Sequence, residues 1–462
     1  MSDATENTAT EAQANLRPVT PELVEAVAVA MREGRSREVR ELVGPLSPPD
    51  MAWVLEQLSE EERQRLLDLV NTDLDPEVLV ELDESVRDSV IEHLGHESVA
   101  AAAAELDSDD AVDIIGDLDE ADREQVLAAM PAEDRAEIEQ ALAYDEDTAG
   151  RMMQRELVAV PQKWSVGEVI DYLRESADEL PEDFYDVIVV DDDNRPVGTV
   201  ALGTLVRTKR PVLVADIMQR DLYTLPVDTT QEEVAHLFRD QNLISAPVVD
   251  AAGKLVGMIT VDDVVDVIDE EAEKDIMGLA GAGEADIYSD VKETVRARLP
   301  WLGVNLITAL ISSTVIALFE DEIKVIVALA ILAPIVASMG GNAGTQTLAV
   351  AVRALATQEL TARNALRFIG KEVVVGSLNG IALAAVVGSV AWVWFGEWRI
   401  GAIIGAAVVA NLVAACFSGT VIPLTLNRMK VDPAVSSGVF LTTVTDVVGF
   451  FAFLGLAAFF LF

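Results

Sequence analysis

The sequence predicts a multidomain membrane protein: an acidic, all-α superhelical N-domain, a duplicated α/β module, an amphipathic linker helix and an all-α transmembrane domain of five helices. Three observations predict it. Net charge is −46 over 462 residues while 51% of them are hydrophobic, a combination that one globular domain rarely carries. The charge is one-sided: residues 290–462 hold ten Asp or Glu and eleven Lys or Arg, a net of +1, which leaves −47 on the preceding residues. Five apolar stretches, each near the roughly twenty residues needed to cross a bilayer, then follow one another in the C-terminal half.

The acidic half repels itself when compact, cannot plausibly bind nucleic acid and would be pushed from an anionic lipid surface. Its charge admits two compatible readings. One is adaptation to a salty interior, which the excess of Arg over Lys favours; the other is a surface that awaits cations. Cys416 is the one cysteine and lies in an apolar stretch, so neither a disulfide nor a thiolate metal site can form within one chain. The opening MSDATENTATEAQ has no basic region and no apolar region, which excludes a signal peptide and predicts a disordered tail over residues 1–20.

Residues 21–146 read as a stack of short helices. Apolar residues recur at three-to-four spacing in LEQLSEEERQRLLDLV, VLVELDESVRDSVIEHL and AVDIIGDLDEADREQVLAAM, with Ser59, Asp107 and Asp119 placed as N-caps. After Gly150 the texture changes. DFYDVIVVDDDNRPVGTVALGTLV reads as strand, turn, strand and helix, and about sixty residues later LISAPVVDAAGKLVGMITVDDVVDVI repeats it. The leaders MMQRELVAVP and IMQRDLYTLP also match. This duplication resembles a pair of CBS domains, the first over residues 147–211 and the second over 212–268. Residues 269–297 form a charged, amphipathic linker, helical on both sides of a Gly-containing break, and residues 298–462 form the membrane domain.

The expected spans are Leu299–Phe319, Ile323–Leu348, Val373–Phe395, Ile400–Leu424 and Ser437–Leu461. With the N-terminus in the cytoplasm, Arg353, Arg363, Arg367, Lys371, Arg428 and Lys430 fall inside and the C-terminus outside, as the positive-inside rule asks. Asp446 lies within the last span, where a carboxylate is costly unless it meets a partner or a water-filled path; Thr442, Thr443 and Thr445 add oxygens beside it. Pro334, Gly340, Gly341, Asn342 and Gly344 share one span and predict either irregular backbone lining a cavity or close packing of small residues. Glu320, Glu372, Asn305, Asn379 and Asn411 are further polar groups that can join helices by hydrogen bonds. Oxygen ligands in a membrane half without histidine point to a hard cation.

GGNAGTQT (Gly340–Thr347), RLPWL (Arg298–Leu302), VDPAVSSG (Val431–Gly438) and TTVTDVVG (Thr442–Gly449), following an acidic helical domain and two CBS modules, resemble the MgtE family of magnesium channels from about residue 20 to the end. The resemblance implies a homodimer in the plasma membrane, five pore helices per subunit and a plug helix joining CBS pair to membrane. It makes Asp446 the pore ligand for Mg²⁺ and turns the GGN segment, Gly341 and Asn342, toward the same pore. It also implies a cytoplasmic Mg²⁺ sensor carried by Glu77, Asp109, Asp113, Asp263, Asp266, Glu271, Asp275 and Asp432, with Lys274 standing where the family can have an acid. Bound Mg²⁺ would bridge these acids and close the channel. CBS pairs also admit ATP. No ATP hydrolysis is required, because two charges crossing 100 mV gain about 4.6 kcal/mol.

Three alternatives remain at this stage. The same architecture could carry Co²⁺ or Ca²⁺. An intramembrane metalloprotease is disfavoured, since HExxH is missing and the membrane half holds no His. A CBS-gated anion channel is disfavoured by an acidic residue in the expected pore.

Overall fold

The computed structural model describes residues 19–70, 74–177, 180–181, 184–283, 287–289 and 291–461; all but the last two residues of the expected tail lie outside the described residues. The chain separates into two compact units, residues 1–268 and 269–462.

In the first unit ten short helices build the acidic domain: α1 (Pro21–Arg32), α2 (Ser36–Val43), α3 (Pro48–Gln57), α4 (Glu60–Val70), α5 (Glu77–Val80), α6 (Glu84–Leu94), α7 (His96–Ala103), α8 (Ser108–Asp117), α9 (Glu120–Ala129) and α10 (Ala132–Ala141). Each buries an apolar stripe, such as Ala111, Val112, Ile114 and Ile115 on α8, and leaves most of its acids on the other face. A local phrase repeats: LSEEER (58–63), LDESVR (82–87) and LDEADR (118–123). In the first and third copies its arginine closes the preceding helix, whereas Arg87 of the second turns to Asp113. Arg63 donates to the carbonyl of Leu55 (3.0 Å), and Arg123 to those of Ile115 (3.1 Å) and Leu118 (2.9 Å), placing a cation at each helix C-terminus. Asp119 caps α9 through the Ala121 and Asp122 amides. Asp107 stands at the expected N-cap of α8, yet its side chain makes no cap, and the Ser108 amide is taken by Glu156 instead (3.2 Å).

The duplication survives to the hydrogen bond. Strands β1 (Ala159–Pro161), β2 (Asp186–Val190) and β3 (Pro196–Ala201) form one sheet, and β4 (Leu225–Pro226), β5 (Ser245–Val249) and β6 (Leu255–Thr260) the other. In each, a parallel pair is followed by an antiparallel one, with the irregularity at the same place, Val189/Val190 and Val248/Val249. Asp191 and Asp250 tie the equivalent turns by accepting two backbone amides apiece. The helices are α11 (Ala149–Met152), α12 (Val166–Glu175), α13 (Leu202–Arg207), α14 (Val214–Ile217), α15 (Gln231–Gln241) and α16 (Val261–Ala280). The leaders are exchanged. Ala149 and Met153, ahead of the first module, sit in the core of the second, whereas Val214 and Met218, ahead of the second, sit in the core of the first.

The second unit holds the end of α16, then α17 (Val291–Ala317), α18 (Glu320–Val325), α19 (Ala328–Ala356), α20 (Ala365–Phe395), α21 (Trp398–Arg428) and α22 (Pro433–Leu461). Helix α16 stops where Gly281 and Gly283 adopt positive φ (65° and 74°), which supplies the break expected in the linker. Among the described residues five helices are long and apolar enough to span a membrane, the first over Thr294–Ala317. Among them α21 is central, with 61% of its most apolar window buried against 6% for the first. Trp392, Trp394 and Trp398 are exposed at the α20–α21 turn, as interface anchors would be. Irregular backbone at the GGN segment is not found. Helix α19 runs unbroken through Pro334 and the glycines, because close packing claims them: a Cβ at Gly344 would meet Leu441 at 2.8 Å, and one at Gly340 would meet the Asn411 amide at 2.1 Å.

Candidate ion pathway and acidic clusters

Asp446 lies thirteen residues into α22, about 20 Å from its start at 1.5 Å per residue, and is partly buried. Its carboxylate interacts with Ser312 on α17, although the pair does not reach hydrogen-bond geometry. The Ser312 hydroxyl is itself buried with no hydrogen-bond partner among the described residues. Around it, Thr442 and Thr443 donate to the carbonyls of Gly438 (2.9 Å) and Val439 (2.8 Å), and buried Thr445 donates to that of Thr442 (3.1 Å). These hydroxyls spend their protons on the helix and keep lone pairs for a cation or its waters. Gly341 and Asn342 were expected beside Asp446. Asn342 is exposed, a Cβ at Gly341 would meet nothing within 4 Å, and no hydrogen bond among the described residues joins either to Asp446.

The packing behind Asp446 depends on Asn411 of α21. That amide is fully buried between Gly340 and Gly449, donates to the Val336 carbonyl (2.8 Å), and leaves its Oδ1 without a partner among the described residues. Gly340→Ala should therefore collide with it and cost about 1–3 kcal/mol, as overpacking does. We expect a lower melting temperature in detergent, partly restored by adding Asn411→Ala; no restoration would mean that the amide is not the obstacle.

The acids of the first unit cluster where α5 and α8 face the start of α16. Burial raises Asp110 to about 7, with Asp263, Asp107 and Asp113 adding repulsion, and it holds Asp109 well above its usual value, with Asp263 adding most of the repulsion. Burial raises Asp263 to about 6 even though Thr260 donates to it (2.8 Å). Glu81 is raised by burial and then by Asp266 and Glu77, and Asp107 by burial and then by Glu156, Glu77 and Asp262. The structure thus gathers Glu77, Asp109, Asp263 and Asp266 together with Glu81, Asp107 and Asp110. Asp110 was legible in the run DSDDAVD; Ser312 carried no signal. Asp113 is drawn off, since buried Arg87 donates to it (3.0 Å) and also to Asp117, which burial raises to about 6.

In the second unit the Gly278 turn of α16 lies on the start of α22, where a Cβ would meet Val435 at 3.1 Å. Asp275 is raised to about 6 by burial, by facing Asp432 and by Glu271, so this pair is also brought together. Lys274 pairs with Glu271 at 3.4 Å, a cation where the cluster would otherwise gain an acid. Among the described residues no three His, Cys, Asp or Glu side chains stand close enough to hold an ion by themselves. A hard cation here would need waters or backbone carbonyls to complete its shell.

Three family models match in succession: the MgtE intracellular N domain over residues 46–147, the CBS domain over 149–210 and 214–270, and the MgtE "divalent cation transporter" domain over 333–456. The chain is 32% identical over 442 residues to the magnesium transporter MgtE of Bacillus subtilis, covering 95% of this chain and 98% of that protein. The chain belongs to the MgtE family. It is also 33% identical over 435 residues to the MgtE magnesium transporter of Thermus thermophilus (93% of this chain, 96% of that protein). A solved cytosolic domain of the Mg²⁺ channel MgtE in complex with ATP is 32% identical, covers 53% of this chain and 99% of its own, and superposes with a TM-score of 0.49. As an MgtE-family protein the chain is a multi-pass membrane protein that transports divalent cations and not an enzyme.

Proposed function

We propose that the chain carries Mg²⁺ down its electrochemical gradient into the cytoplasm, and that cytoplasmic Mg²⁺ on its acidic domains closes the path. One observation carries the first part: a lone carboxylate, Asp446, with two neighbouring threonines and an unpartnered serine hydroxyl, deep in an apolar span. Mg²⁺ sheds water reluctantly, so carboxylate and hydroxyls would hold it through its waters. The full-length relatives are named as magnesium transporters, which favours Mg²⁺ over Co²⁺ or Ca²⁺. Asn342 is exposed and Gly341 half-buried, and in a homodimer with two copies around one pore both would face the path.

The sensor reading rests on acids that repel one another: partly buried Asp109, Asp110 and Asp263 in one cluster, with exposed Glu77, Glu81 and Asp266 beside it, and partly buried Asp275 and Glu271 with exposed Asp432 in the other. A dication placed among them removes the repulsion and stabilises the compact arrangement. When Mg²⁺ is scarce the acids part and the plug segment is released. The cytoplasmic N-terminus and outside C-terminus follow from Arg353, Arg363, Arg367, Arg428 and Lys430 sharing one side. ATP at the CBS pair belongs to the same proposal and rests on the family resemblance.

Growth of a bacterium deficient in magnesium uptake tests transport. Wild type should restore growth at low Mg²⁺ and Asp446→Ala should not. Rescue that requires Co²⁺ or Ca²⁺ instead would assign the cargo to the rival ion.

A further inference from the structure

A second polar pocket lies between α19, α20 and α21, apart from Asp446. Glu372 is 8% exposed, accepts a hydrogen bond from buried Thr347 (3.2 Å), and stands seven residues into α20, about 10 Å from its start. A cavity of about 140 Å³ opens beside it, with Gln346 and Asn379 exposed at its mouth and Cys416 in its wall. Gly376 is what lets the thiol in, since a Cβ there would meet its sulfur at 2.7 Å.

Nothing described neutralises this carboxylate well. Lys371 Nζ is 3.8 Å from it, but the lysine side chain is 68% exposed, and such long surface pairs are worth little. Two primary amides and an acid facing lipid would be expensive, so the pocket should be wet or filled. It has room for several waters, or for a small ion with part of its hydration shell. One carboxylate, one hydroxyl and two amide carbonyls form an oxygen set, which suits a hard cation. The thiol is a poor ligand for such an ion and marks the wall.

The geometry points to a second binding site for a divalent cation of the Mg²⁺ kind, held by Glu372 and Thr347 with Gln346 and Asn379 closing over it. The pocket lies toward the helix ends that carry Arg353 and Arg367, the side proposed as cytoplasmic. It does not depend on Asp446 being the pore ligand.

The single cysteine makes the test direct. The full-length chain in lipid nanodiscs, carrying Asp446→Ala so that pore occupancy cannot contribute, is treated with a water-soluble thiol reagent, and the rate of Cys416 modification is followed. Raising Mg²⁺ to about ten times its half-effective concentration should slow modification roughly tenfold, relative to choline chloride at equal ionic strength. Glu372→Gln keeps the shape and should abolish the protection while modification continues. Should that variant fail to fold, Thr347→Val carries the test and should weaken protection severalfold. Equal protection in the variant tested, equal slowing by choline, or a Cys416 that reacts only after unfolding would each overturn the site.

Discussion

Asp446→Asn should cut Mg²⁺ uptake into proteoliposomes by at least a hundredfold while leaving the melting temperature near that of the wild type. The exchange keeps the shape, removes the charge and turns one acceptor oxygen into an N–H donor. Bonds from a dication's waters to a carboxylate are charge-assisted, worth about 1.5–3 kcal/mol each, and two of them lost amount to a hundredfold or more. Asp446→Glu should retain measurable uptake, because the charge persists on a side chain one methylene longer. Ser312→Ala and Thr442→Ala, which remove neutral oxygens, should cost about tenfold or less. Uptake by Asp446→Asn within threefold of wild type would remove Asp446 from the ion path.

The second large effect concerns pH and the acidic clusters. Asp110 and Asp263 titrate near 7 and 6 when buried, against 3.8 when separated and solvated. A raised carboxylate favours the compact arrangement below the solvated value, and that advantage is lost as pH rises through the buried one. Repulsion is therefore complete only above about pH 7, which is where Mg²⁺ has most to offset. At pH 5 protons already occupy these carboxylates and compete with the ion. Saturating Mg²⁺ should raise the melting temperature of the acidic half very little at pH 5 and by about 5–10 °C at pH 8, the shift expected for a ligand near a hundred times its Kd. Asp109→Asn with Asp263→Asn should stabilise this half without Mg²⁺ and erase most of the increment. An increment as large at pH 5 as at pH 8, or intact in the double variant, would rule out the cluster as the sensor.

Much of this was legible from residues because the signals were periodic or costly. Helical spacing, the duplicated VVD-turn-strand phrase and runs of some twenty apolar residues each follow from backbone geometry that tolerates few alternatives. The family resemblance named Asp275 and Asp432 separately, and the Gly278 turn resting on α22 is what sets them facing each other. What could not be read was which of several equivalent groups a neighbour would claim. Asp113 looks like Asp109 in the sequence, but Arg87, from a helix twenty-odd residues earlier, takes it. The glycines of the GGN segment fit broken and unbroken helix equally well. Asn411, one polar residue in an apolar run, decides between them by wedging against Gly340.

The exchanged leaders have a consequence for how the CBS region forms. Neither half-sequence contains all the side chains its own centre requires: the first lacks Val214 and Met218, and the second lacks Ala149 and Met153. A ribosome that has released only the first repeat has not yet supplied the pieces that complete it. Splitting the chain near residue 212 should yield two fragments that stay soft when alone and become ordered when mixed. The heritable unit is thus the doublet, and losing either repeat would undo both.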